Sequence, residues 1–249
     1  VVQAISLAGS YNARGIGTRG APWLVRSAAL DGLSPGGERT LRSHGVDLVL
    51  DLREPAEHGE RTHGIPVRSL SLYGEAPPAS GSLEEVYEGL VRDRGDRLAA
   101  AVIAIAEHPG TVVVHCTAGK DRTGLVVALA RLAAGDPLAD VLADYALSGG
   151  SVRPEREALV AIQLDRIGLD APGRAAERTA AERLHLDSPP DALVSALDAV
   201  EALGGVQAYL LAHGATRDHL AALAGLAAGE RQNAPSPAHT HASAVGSAA

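Results

Sequence analysis

The residues with the most chemistry in this chain stand together. His115, Cys116, Thr117, Ala118, Gly119, Lys120, Asp121, Arg122, Thr123 and Gly124 are consecutive, and they include the only cysteine and the only lysine of 249 residues. Cysteine attacks as its thiolate, so the field around the sulfur decides its reactivity. Lys120 and Arg122 favour the ionised form. Five residues separate Cys116 from Arg122, which lets the chain curl so that both face one anion. The planar guanidinium fork suits two phosphate oxygens at once. The Thr123 hydroxyl is within reach of the cysteine sulfur when it leaves. Together these groups suit nucleophilic attack on a tetrahedral oxyanion.

The flanking elements must hold that loop. Thr111 to His115 is β-branched and apolar, which predicts a strand. From Leu125 the run LVVALARLAA predicts a buried helix that Gly135 ends. A loop between a strand and a helix start points backbone N–H groups at one spot, with the positive end of the helix dipole behind them. That is an anion site.

The ten residues resemble the signature of the cysteine-dependent tyrosine phosphatase superfamily. Lys120-Asp121 is similar to its bacterial branch of tyrosine and phosphoinositide phosphatases. Further stretches resemble the same branch: Asn12-x-Arg14 with Arg26-Ser27, Asp51-Leu52-Arg53, and Asp144-Tyr145 with Ser148. Gly149 stands where the branch carries Asn. The order Gly204-Gly205, Tyr209-Leu210, His213-Gly214 resembles its C-terminal end, so the likeness runs from about Asn12 to Leu226. The resemblance implies that Cys116 takes the phosphoryl group as a phosphocysteine, which water then hydrolyses. It implies that substrate oxygens are held by the backbone from Thr117 through Ala118, Gly119, Lys120 and Asp121 to Arg122. Asp121 becomes the first choice for general acid and Asp51, at the end of a predicted strand, the second. Lys120 adds charge where a second phosphate would sit, which makes phosphoinositides expected substrates alongside phosphotyrosine and phosphoserine or phosphothreonine. No metal or cofactor is required.

The rest of the chain frames this site. It predicts an α/β domain over residues 1–229, with a mainly parallel sheet of about four or five strands flanked by helices and a helical C-terminal part. Residues 230–249 read as a disordered tail. Strands are expected at 22–27, 47–52 and 65–70. Tyr11–Gly20, Glu54–Gly64 and Leu72–Gly81 read as loops, the last a place for a flap with Glu75 as a weak acid candidate. Helices are expected to about His44 from Ser34, from the capping box Ser82–Glu85 to Glu107 with a break near Gly89 or Gly95, and from Asp136 as cap. Pro154–Leu169 and Pro172–Asp187 read as separate helical segments.

A formal net charge of −8, with both signs mixed, gives no footprint for nucleic acid. One cysteine makes no internal disulfide, as suits a reducing compartment. Apolar runs fall short of a membrane span, and Val1–Ser10 lacks a basic, then apolar, leader. The expected location is cytoplasmic, with export by another route left open, and nothing indicates an oligomeric state. Two rivals remain: a catalytically silent phospholigand-binding module, and a sulfurtransferase of the rhodanese type, whose loop does not require Arg122 and Thr123-Gly124.

Overall fold

The computed structural model describes residues 1–229; the expected tail lies outside the described residues. Six strands form one sheet: β1 Val2–Ala4, β2 Arg14–Thr18, β3 Ala21–Ser27, β4 Val46–Asp51, β5 Val67–Ser69 and β6 Thr111–His115. Their order is β1-β2-β3-β6-β4-β5. β3, β6, β4 and β5 run parallel, and β1 and β2 extend one edge antiparallel.

The parallel strands read as unbroken apolar runs because both faces are covered. In β6, Val112 and Val114 join the larger core while Val113 enters a second core on the other face. β3 repeats this with Leu24 and Val25, and β4 with Leu50 and Val49. Helix α1, Pro35–Ser43, contributes Leu41 to the second core. The larger core is built from α2 Leu83–Asp93, α3 Gly95–Glu107 and α4 Asp121–Ala133, followed along the chain by α5 Leu138–Arg166, α6 Ala175–Leu186, α7 Pro190–Ala202, α8 Gly205–Ala212 and α9 Arg217–Ala228. The second half of α5 and α6 also carry a small core of their own, with Val160, Leu164, Ala181 and Leu186. Among the described residues, no single helix is long and apolar enough to cross a membrane.

Three elements differ from the sequence reading. The stretch 11–20 is not all loop: β2 lies within it, paired with β3. Its glycines have low strand propensity, yet a Cβ on Gly15 would sit 2.9 Å from Pro22 and one on Gly17 2.7 Å from Trp23. Close approach of the two strands explains both glycines. α5 is one helix through Pro154, not two segments. Pro154 lacks the N–H that would bond the Gly150 carbonyl, and burial of Val152 before it and Val160 and Leu164 after it offsets that loss. α4 starts at Asp121 rather than Leu125. The break between α2 and α3 falls at Arg94-Gly95, the second of the two places expected.

Candidate active site

β6 is flanked by parallel strands on both sides, so its C-terminal end opens at the middle of the sheet, where ligands of parallel α/β sheets gather. Cys116 follows it directly and is 2% exposed. The loop to α4 is held by its carbonyls. Thr117 O accepts from Ala29 N (3.2 Å), Ala118 O from Asn12 Nδ2 (3.0 Å), and Gly119 O from Arg26 Nη2 (2.7 Å) and Asn12 Nδ2 (3.1 Å). In a trans peptide the N–H points opposite to the C=O of the same unit. With these three carbonyls held on one side, the N–H groups of Ala118, Gly119 and Lys120 turn to the opposite side of the loop. Gly119 is required here: φ is +66°, and a Cβ would lie 2.2 Å from the Ser27 carbonyl oxygen.

The outer layer is a buried ion cluster. Asp144 on α5 receives Arg14 Nε and Arg26 Nη1 (2.9 Å), and Ser148 Oγ receives Arg14 Nη2 (2.9 Å). Burial works against the Asp144 charge, but the two arginines outweigh it and hold its carboxyl below the usual carboxylate range. The N-terminal Asn-x-Arg, the Arg-Ser and the Asp-Tyr-x-x-Ser stretches thus meet behind the loop. They brace it and do not touch the cavity.

Arg122 is fixed by a residue the sequence did not single out. Glu57, in a single 3-10 turn over Pro55–Glu57, accepts from Arg122 Nη1 (2.5 Å) and Nη2 (2.7 Å). It also accepts from Thr117 Oγ1, which in turn receives Arg122 Nη2 at 3.3 Å. Burial alone would raise the Glu57 pKa, yet the bonds from Arg122 and Thr117 hold it down at about 2. The Arg122 guanidinium lies 5.0 Å from the centroid of the Tyr73 ring.

Asp121 lines the same cavity. Its Oδ1 takes the Tyr87 hydroxyl (2.6 Å) and Lys120 Nζ (2.8 Å), which leaves Oδ2 for the cavity. Tyr87 and Tyr145 hydroxyls pair at 2.7 Å behind it, and burial pushes both phenols up, so they act as neutral donors. Thr123 Oγ1 is buried and has no hydrogen-bond partner among the described residues. The cavity holds about 450 Å³. The 72–81 loop walls it with Tyr73, Pro77 and Pro78, and the second half of α5 and α6 wall it with Leu164, Ile167 and Leu184.

A family model described as the tyrosine phosphatase family matches residues 5–226. The chain belongs to the tyrosine phosphatase family. It is 31% identical over 139 residues to a tyrosine-protein phosphatase of Nostoc commune, covering 50% of this chain and 47% of that protein. It is 29% identical over 170 residues to the triple specificity protein phosphatase PtpB of Mycobacterium tuberculosis, covering 52% and 62%. The chain thus spans about half the length of the curated relatives it matches.

Within this tyrosine phosphatase family member, four expected site residues, Gly119, Lys120, Thr123 and Asp51, do not line the cavity. Lys120 does not offer its charge to a second phosphate. It is fully buried and donates to Leu184 O and Asp187 O, each at 2.7 Å, as well as to Asp121. The carbonyls at the C-terminal end of α6 have no helical partners, and an ammonium is the natural donor there. Asp51 ends β4 but faces a separate hollow, where it binds Arg53 at 2.9 Å and lies 3.6 Å from His115 Nε2. Burial holds His115 at about 4, so it is neutral near pH 7 and contacts the Cys116 carbonyl through Nδ1 at 3.2 Å. Glu75 lines a neighbouring groove.

Proposed function

We propose that this protein is a phosphomonoester hydrolase, acting foremost on phosphotyrosine through a phosphocysteine at Cys116. The observation that carries the reading is that Cys116 and Arg122, at the two ends of one tightly held loop, line the same cavity. Cys116 Sγ attacks phosphorus in line, and the ester P–O bond breaks. The departing oxygen takes its proton from Asp121. Water then gives a proton back to Asp121 and attacks phosphorus, the S–P bond breaks, and inorganic phosphate leaves. Phosphoryl transfer asks mainly for positioning and neutralised oxygens, which the N–H groups of 117–122 and the free donors of Arg122 supply. Thr123 Oγ1 donates to the sulfur as its charge returns.

Activity on phosphoserine or phosphothreonine rests on the name of the mycobacterial relative and on the resemblance of the loop. Phosphoinositide activity rests on the resemblance alone, since Lys120 is turned away from the cavity. A silent binding module would have no use for Asp121 lining the same cavity as Cys116. Phosphate release by wild type and Cys116→Ser, in EDTA, from a phosphotyrosine peptide, a phosphoserine peptide and a monophosphorylated phosphoinositide tests the reading. Release from the first that disappears in the variant supports it, and release that persists overturns it.

A further inference from the structure

The arginines of α5 and α6 divide into two kinds. Arg153, Arg174, Arg178 and Arg183 each pair with a carboxylate. Arg156 and Arg166 line the cavity, and among the described residues neither forms an ion pair. Arg156 is half-buried and lies beside the Tyr11 hydroxyl, a neutral partner that does not satisfy its charge. Arg122, in contrast, is already matched by Glu57. Arg156, half-buried, and Arg166, exposed in the last turn of α5, thus stand along one wall of the cavity without a carboxylate partner among the described residues and are open to an anion from outside.

We propose that Arg156 and Arg166 form a specificity track that selects phosphotyrosyl peptides with carboxylates near the phosphotyrosine. The proposal rests on the phosphatase reading above. Ten residues of helix place the two positions about 15 Å apart along α5. An extended peptide covers that distance in roughly four or five residues, so separate side chains meet separate arginines. The groove on the other side of Tyr73 and Pro78 is lined by Glu75, Glu85 and Asp93 against one cation, Arg94, so its charge is net acidic. It repels the carboxylates that the α5 wall attracts, so the preference depends on which side of the phosphotyrosine the acids lie.

The test compares phosphotyrosyl peptides of equal length with Glu, Gln or Lys before, or after, the phosphotyrosine. Wild type should favour Glu over Gln in one of the two placements by roughly three- to tenfold in kcat/KM, the range of two partly exposed ion pairs. The preference should shrink at high salt and fall to about one in Arg156→Gln/Arg166→Gln. Binding of the same peptides to Cys116→Ser gives the ranking without turnover. No Glu preference in wild type by either readout, or a preference that survives in the double variant, overturns the proposal. So does a loss in the double variant confined to phosphoinositide vesicles, which would assign the track to a membrane. Failure of wild type to hydrolyse p-nitrophenyl phosphate would instead strike at the phosphatase reading, while the binding ranking still decides the track.

Discussion

Glu57→Gln is the perturbation that most directly probes how the site is aligned. A guanidinium has five N–H donors. Glu57 takes one from each terminal nitrogen of Arg122, and Thr117 Oγ1 takes a third. Two remain, Nε–H and one on Nη1, on opposite edges of the guanidinium, each open to a separate acceptor. Glutamine keeps the shape but offers one acceptor, and its amide turns N–H toward N–H. At least one charged hydrogen bond is lost, worth about 1.5–3 kcal/mol. If that bond sets the orientation of Arg122, the loss appears in the transition state, and kcat/KM falls roughly 10- to 100-fold. Stability should fall as well, and added inorganic phosphate should restore less of it in the variant than in wild type. The pH dependence has a fixed sign. The Glu57 pKa is depressed from 4.5 to about 2, so its contribution is complete above about 4.5 and is lost as pH falls toward 2. Denaturation between those limits should therefore be less pH-dependent in Glu57→Gln. Steady-state kinetics with p-nitrophenyl phosphate decide the matter. An unchanged or increased kcat/KM would refute the reasoning, because Glu57 would then be a plug that competes with phosphate.

Asp121→Asn should lose about 100- to 10,000-fold on esters with poor leaving groups and far less on p-nitrophenyl phosphate; an equal loss on both would remove Asp121 as the acid. Lys120→Met should lower stability by roughly 2–4 kcal/mol through the orphaned Leu184 and Asp187 carbonyls, seen in denaturant titration, and should reduce all substrates alike. A selective loss on phosphoinositides would return Lys120 to a substrate role. Gly119→Ala forces a Cβ toward the Ser27 carbonyl oxygen and should abolish vanadate binding while the fold persists; wild-type affinity by calorimetry would contradict the account of the loop.

What the sequence made legible was whatever lies in one contiguous stretch. The strand, the loop and the helix around Cys116 are adjacent in the chain, so residue types and spacing carry the geometry. Gly119 and Arg122 could be placed because the loop is short. Glu57 could not, since it reaches Arg122 from a polar segment read as a featureless loop. A signal was present: Pro55 with the pair Glu54 and Glu57 makes a capping box, the mark of a fixed turn just beyond the end of a parallel strand. Lys120 illustrates the opposite case. Its position in the motif is right, but the direction of its side chain is set by where α6 ends, which no local pattern encodes. Asp51 likewise sits at the expected strand end, and Arg53, two residues on, draws its carboxylate to itself. The strand at Arg14–Thr18 was hidden because the glycines that allow close packing against Pro22 and Trp23 also erase strand propensity.

The central claim is a covalent phosphoryl group on Cys116. Rapid acid quench of wild type during turnover of a phosphotyrosine peptide, followed by mass analysis of the loop, measures it directly. The account predicts a phosphoryl adduct on Cys116 that accumulates when Asp121 is replaced by Asn, with a good leaving group, and is absent in Cys116→Ser. Turnover without any adduct on Cys116, or an adduct on another residue, would contradict it.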